Sequence, residues 1–221
     1  MKTVAIIQAR MGSSRFPGKV LQPLPPDNRT VLARVIGEVK KISGLDEIVV
    51  AIPEGPLDDV LVPHVRAAGV QIFRGPEDDV LTRYYRAAVI AKADVIMRIT
   101  ADCPLIDPGL CAAILDMFKT HRSQFDFVSN TAPRTFPKGL DCEVFSFELL
   151  RRAHMEALDA KFREHVTLWM LESWYRPKVR VGRYRSEEDL SHVSVTLDTL
   201  ADYKNICDVL SRISIGKEKS K

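Results

Sequence analysis

Thr3-Val-Ala-Ile-Ile-Gln-Ala9 runs without a break into Arg10-Met-Gly-Ser-Ser-Arg-Phe-Pro-Gly-Lys19, and this junction decides the fold. The first half is a short β-branched apolar run, the pattern of a buried strand. The second half places Arg10, Arg15 and Lys19 within ten residues, and Gly12, Ser13, Ser14 and Gly18 supply small side chains that let backbone N–H groups approach an anion. A loop of this kind is also compatible with a plain solvated turn. Its position after the first strand favours a ligand, because open α/β sheets bind ligands at the carboxyl ends of their strands. The ligand predicted by the cations is a nucleoside triphosphate. The loop is not a Walker P-loop: Gly12 and Gly18 are separated by five residues instead of four, Val20 stands where a hydroxyl would hold Mg²⁺, and Pro17 removes an N–H.

Outward from this junction, strand and helix patterns alternate. Thr30 is placed to cap a helix reading VLARVIGEVKKI, and Gly44 ends it. Residues 46–53 form the second predicted strand, residues 57–68 a helix that Pro63 kinks or splits, and residues 70–73 the third strand. Arg74 follows at that strand's exit, where it either pairs with Glu77 or Asp78 or reaches the rim of the first loop. Asp78 is the predicted cap of the helix VLTRYYRAAVIAKA. Residues 94–100 form the fourth parallel strand, with Asp102 at its exit and Asp107 opening a helix over 110–121. Asp102 stands where a metal–triphosphate would lie, or it starts a turn. These repeated units predict an α/β fold with a doubly wound, mostly parallel sheet.

From about 130 to 190 the alternation breaks. Residues 125–129 and 140–145 read as strands, the latter with Asp141 and Glu143 sharing one face, open to solvent or to a ligand. Two helices are predicted, at 147–158 and about 160–175. The second carries Arg163, Glu164 and His165 in its first turn, a place for capping, pairing or carboxylate binding. Trp169, Met170 and Trp174 are read as core or subunit contacts. Residues 177–185 alternate basic with apolar or small residues, as an edge or hairpin strand does. Residues 193–196 are the last predicted strand, followed by a helix from Asp198 to about Ile213 and a frayed charged tail at 217–221. Asp198 and Asp102 both follow predicted strands and lie far apart in sequence, so neither serves local helix pairing; together they can hold one Mg²⁺, or two ions.

The chain has 221 residues, 46% hydrophobic and 28% charged, which suits one α/β domain over 1–216 with a full core. With 32 basic against 29 acidic residues, no nucleic-acid face is expected. Cys103, Cys111, Cys142 and Cys207 lack zinc spacing and read as free thiols of a reducing compartment. The opening run is too short for a signal peptide or membrane span, so a cytoplasmic protein without membrane contact is expected.

The stretch IIQARMGSSRFPGKVL resembles the amino-terminal signature of the sugar cytidylyltransferases, the group of the CMP-Kdo and CMP-acylneuraminate synthetases, and within it the spore coat polysaccharide biosynthesis protein F branch. RGPEDDVLTRYYRAA (74–88), RITADCPLIDP (98–108), KGLDCEVFS (138–146), REHVT (163–167) and VTLDTLADY (195–203) extend the resemblance over nearly the whole chain. It implies a nucleotide-diphospho-sugar transferase-like, Rossmann-like fold in which the excursion serves sugar binding and dimerisation, and a homodimer. It implies Mg²⁺-dependent transfer of CMP from CTP to an acidic, nonulosonic-acid-like sugar with release of pyrophosphate, for surface polysaccharide biosynthesis. The implied nucleotide contacts are Arg10, Gly12, Ser13, Ser14, Arg15, Lys19, Arg74, Thr100 and Asp102; catalysis falls to Arg10, Lys19, Asp102 and Asp198. Asp102 and Asp198 are the implied metal ligands, and Lys138, Asp141, Glu143, Arg163, Glu164 and His165 the sugar contacts. The chain departs from the Kdo-type pattern in having Asp102-Cys103-Pro104-Leu105 and Asp198-Thr-Leu-Ala-Asp202, which speaks against Kdo itself. Another nucleotidyltransferase acting on a sugar phosphate or other phosphorylated acceptor, or a non-catalytic nucleotide-binding subunit, are the alternatives.

Overall fold

In the computed structural model, which describes residues 1–172 and 179–218, the opening apolar run is β1 (Thr3–Gln8), buried over all but its last residue. It pairs in parallel with β4 (Glu47–Pro53) on one side and β6 (Val95–Thr100) on the other. A strand hydrogen-bonded on both edges and covered on both faces is apolar through its middle, here Val4 to Ile7, which is why it reads as an unbroken run rather than an alternation.

Among the described residues the main sheet has seven strands in the order β5-β4-β1-β6-β8-β7-β9, with β5 at Gln71–Gly75, β7 at Phe127–Ser129, β8 at Glu143–Ser146 and β9 at Val181–Arg183. The four strands β5, β4, β1 and β6 are parallel; β8 is antiparallel to both β6 and β7, and β9 runs parallel to β7 at the edge. The predicted mostly parallel α/β sheet is therefore present. From β1 the chain winds outward through β4 to β5, then returns to place β6 on β1's other edge. The strand order thus reverses between β1 and β6, the topological switch point at which open α/β sheets form their crevice.

Alternate side chains of β1 enter two different cores. Ala5 and Ile7 pack with α1 (Val31–Val39), α2 (Leu61–Ala67) and α4 (Pro108–Thr120). Val4 and Ile6 pack with α3 (Val80–Ile90), α5 (Phe147–Glu156) and the buried Trp169 and Met170 of α7 (Leu168–Leu171). A third cluster joins Leu24 and Val31 to Leu197, Ile206 and Leu210, seating the hairpin of β2 (Pro23–Leu24) and β3 (Arg29–Thr30) against α8 (Leu200–Glu218).

Local expectations divide by how much long-range pairing they required. Thr30 and Asp107 cap α1 and α4 through side-chain bonds from Ala33 and Leu110. The cap of α3 is Asp79 instead of Asp78; its carboxylate accepts from the N–H and the hydroxyl of Thr82. The region near Pro63 is split: a short 3-10 turn over Pro56–Asp58 precedes α2, so Pro63 falls in the first turn, where no N–H is needed. Residues 193–196 form no strand, only an isolated bridge between Ser194 and Lys138. Glu143 departs from the predicted shared face: it is 4% exposed. The predicted helix at 160–175 is two short pieces, α6 (Ala160–Glu164) and α7, so Arg163 and Glu164 end α6 and His165 caps its carboxyl terminus rather than opening a helix. Trp174 lies outside the described residues. Toward the carboxyl end, α8 continues past Ile213 to Glu218, longer than expected.

Candidate active site

Register alignment sets the frame: Gln8 at the end of β1 lies beside Thr100 at the end of β6, so both strands release their chains at the same level. The loop leaving β1 turns back on itself. Met11 N–H donates to Asp58 at 2.7 Å, and Gly18, at φ 69°, donates to Met11 O at 3.1 Å. That left-handed position costs a side-chain-bearing residue energy and costs glycine little. It reverses the chain into a 3-10 turn over Lys19–Leu21, which carries Lys19 under the loop.

Lys19 is 9% exposed. Its Nζ donates to Asp102 Oδ2 at 2.8 Å, to Asp198 Oδ1 at 3.0 Å and to Leu197 O at 2.8 Å. Arg15 Nη2 lies 3.1 Å from Asp198 Oδ1, and Lys138 Nζ 3.7 Å from Asp198 Oδ2. The backbone holds the two carboxylates in place, since Leu197 N–H donates to Asp102 O at 2.8 Å. Burial pushes the Asp198 carboxyl up, but the hydrogen bond and charge of Lys19, with Arg15 and Lys138 behind it, outweigh that and hold it below the usual carboxylate range.

Around this cluster is a polar cavity of about 230 Å³ lined by Gln8, Ala9, Arg10, Gly12, Ser13, Ser14, Arg15, Lys19, Val20, Arg83, Thr100, Ala101, Asp102 and Asp198. The structure thus brings together the loop residues, Thr100 and both aspartates, from segments as far apart in sequence as Arg10 and Asp198. Arg83 is the residue that sequence reading missed. It is 1% exposed, its Nη1 caps Pro76 O and Glu77 O, and its Nε has no partner. Burial pushes its pKa down, and the nearby charge of Arg10 acts in the same sense. Gln8 adds an unpartnered buried Oε1 to the same wall. The available signal was a lone Arg on the inward face of a helix, a position that normally carries an apolar residue.

Other residues predicted for the site go elsewhere. Arg74 does not line this cavity; its guanidinium bonds Asp59 at 2.5 Å and the carbonyls of Pro53 and Gly55. Asp141 is held by a bidentate pair with Arg134 at 2.5 and 2.8 Å. Glu143 accepts from Arg98 at 2.6 Å, from Thr167 and from Thr131. Arg163 reaches back to Asp79 at 2.6 Å and to Thr82, tying α6 to the cap of α3. Glu164 and His165 are exposed. Of this predicted sugar-contact group, Lys138 adjoins the cavity through Asp198.

Asp102 and Asp198 fit a hard divalent cation. Both present carboxylate oxygens to one point, and the positive group now at that point shows that the pair's field suits a cation. Among the described residues, no cluster of three or more His, Cys, Asp or Glu side chains could hold a metal, so such an ion would complete its shell with phosphate oxygens and water. Among the described residues no helix is long and apolar enough to cross a membrane.

The spore coat polysaccharide biosynthesis protein SpsF of Bacillus subtilis is 32% identical over 91% of this chain and 83% of its own length. A cytidylyltransferase structure from Leptospira borgpetersenii superposes with a TM-score of 0.90 at 33% identity, covering 96% of this chain and 87% of that one. At 15% identity, CMP:2-keto-3-deoxy-manno-octonic acid synthetase complexed with CTP shares the fold alone, with a TM-score of 0.71 over 96% of this chain and 99% of that one. The cytidylyltransferase family profile matches residues 4–218. The chain belongs to the cytidylyltransferase family and is a nucleotidyltransferase.

Proposed function

We propose that this protein transfers CMP from CTP to an acidic sugar, of the nonulosonic-acid type, with release of pyrophosphate and dependence on Mg²⁺, in surface polysaccharide synthesis. The observation that carries this reading is the convergence of Lys19, Asp102 and Asp198 below a cation-bearing Gly/Ser loop at the β1–β6 switch point. Names borne by relatives support the finer terms: one is a polysaccharide biosynthesis protein, and one with the same fold makes an activated acidic sugar and was solved with CTP.

In this reading Arg10, Arg15 and the backbone N–H groups of 12–14 hold the triphosphate, and Arg83 supplies a further positive group from the floor. The acceptor hydroxyl attacks the α-phosphorus in line and releases its proton to solvent; its O–P bond forms as the bond to the bridging oxygen breaks, and pyrophosphate leaves. Cations already fixed around the phosphates offset the charge that repels the nucleophile and stabilise the charge gathering on the leaving group. Mg²⁺ at Asp102 and Asp198 would supply Lewis-acid polarisation and lower the pKa of the attacking hydroxyl. Lys138, more than half exposed beside Asp198, is placed to meet an acidic acceptor. The chain works as one nucleotidyltransferase domain, a cytoplasmic homodimer, with the 130–190 excursion serving acceptor and partner.

The test is pyrophosphate release from each NTP with Mg²⁺ and a panel of nonulosonic acids, neutral sugars and sugar phosphates. CTP with an acidic sugar should give turnover. Turnover only with a sugar phosphate would replace the acceptor class, and binding without turnover on the full panel would favour an accessory role.

A further inference from the structure

The cation between Asp102 and Asp198 belongs to the protein itself. A lysine ammonium has three N–H bonds, and here Asp102, Asp198 and Leu197 O take one each. The side chain is 11% exposed, so water does little to share its charge. In this arrangement Lys19 has no N–H left for a phosphate, and a bare divalent ion would have to displace an ammonium bonded to both of its carboxylate ligands.

We infer that Lys19 is a positioning residue that keeps divalent metal out of the Asp102–Asp198 pair until the nucleotide arrives, so that metal and triphosphate enter together. This rests on the reading of the pair as the metal site. The geometry supplies the exchange: a metal here finds two carboxylates and, among the described residues, no third side chain of the usual ligand types. A triphosphate brings the oxygens that the metal lacks and, at the same time, a new acceptor for the ammonium it displaces. Asp198 is further neutralised by Arg15 at 3.1 Å and Lys138 at 3.7 Å, which lowers its attraction for a free ion in the resting protein. If Lys19 only gripped phosphate, its removal would weaken CTP binding and leave the nucleotide-free metal affinity unchanged. As an internal counter-ion, its removal must raise that affinity.

The experiment measures Mn²⁺ binding by electron paramagnetic resonance, with and without CTP, for the parent protein, Lys19→Met and Lys19→Arg. Without CTP, the parent and Lys19→Arg should bind Mn²⁺ weakly, whereas Lys19→Met should bind about tenfold or more tightly, the scale of one charge-assisted contact. Its melting temperature should also rise with Mn²⁺ when that of the parent does not, because two carboxylates left facing each other gain a cation. CTP should restore tight Mn²⁺ binding to the parent. The inference is overturned if the parent binds Mn²⁺ as tightly without CTP as with it, or if a folded Lys19→Met gains neither affinity nor thermal shift. Should Lys19→Met fail to fold, the parent's affinities with and without CTP decide. Absence of Mn²⁺ binding to the parent even with CTP would remove the metal site itself, an outcome distinct from failure of the Lys19→Met gain alone.

Discussion

Arg83 stands at a position where a protein ordinarily places an apolar side chain. Its charge is nearly sealed from water and its Nε has no partner, and such a group is costly unless something pairs with it. An anionic ligand in the adjoining cavity, which Arg83 lines, would supply that partner. Arg83→Met should therefore weaken CTP binding by roughly 10- to 100-fold, while the unliganded protein loses no more than about 1 kcal/mol of stability. Calorimetric titration and chemical denaturation read the two quantities separately; unchanged affinity with a large stability loss would make Arg83 a purely structural residue. Asp198 makes a pH prediction. Its folded-state pKa is lowered, so its contribution to stability is fully present above the usual carboxylate pKa and is lost as pH falls through the lowered value. The stability difference between the parent and Asp198→Asn should accordingly be largest near neutrality and shrink below about pH 4, as thermal melts across pH will show.

At the scale of elements, what could be read in the sequence tracked the range of the interactions. The strands β1, β4 and β6 announce themselves because burial on both faces forces β-branched runs, and Thr30 and Asp107 are visible as caps because a cap bonds only three residues onward. In the antiparallel excursion the strands at 125–129 and 140–145 and the helix after them were legible, but the partners of their polar side chains were not, for the opposite reason. Glu143 looks like an exposed strand residue until Arg98, Thr131 and Thr167, all remote or adjacent only in space, are found around it. Likewise, 193–196 alternates like a strand but is used as one side of a loop pair: Lys138 N–H bonds Val193 O and Val195 N–H bonds Lys138 O. That loop pair holds the segment leading to Asp198. Gly139 sits inside it at φ 105°, and a Cβ there would meet Thr196 N and Val195 C at 2.7 Å, both backbone atoms that cannot turn away. Gly139→Ala should cost about 1–3 kcal/mol of stability through the positive φ and the clash, and turnover should fall further than stability explains, because Asp198 moves with the loop. Normal turnover in a destabilised Gly139→Ala would uncouple the loop pair from the site.

Across the whole molecule, Lys19, Asp102 and Asp198 join the loop after the first strand, the exit of β6 and the entry to α8, which itself closes a separate apolar cluster with Leu24 and Val31. Ligand that completes this junction is therefore coupled to global unfolding and not only to a local loop. A ligand at 100 times its Kd stabilises by about 2.7 kcal/mol, which in a chain of this length corresponds to a rise of about 5–10 °C in melting temperature. CTP with Mg²⁺ should produce a rise of that order in the parent protein, and EDTA added with CTP should remove most of it if the metal is shared between triphosphate and carboxylates. Asp102→Asn and Asp198→Asn should each abolish most of the rise, and the double variant should lose little more, because groups that bind one ion act as a unit. Asn keeps the shape and any capping role of Asp, so loss of the rise in Asp198→Asn isolates the charge. Differential scanning fluorimetry of the four proteins, each with CTP and Mg²⁺, with CTP and EDTA, and alone, makes the comparison. A rise retained in Asp198→Asn and sensitive to EDTA would leave the metal with Asp102 and reduce Asp198 to the counter-ion of Lys19.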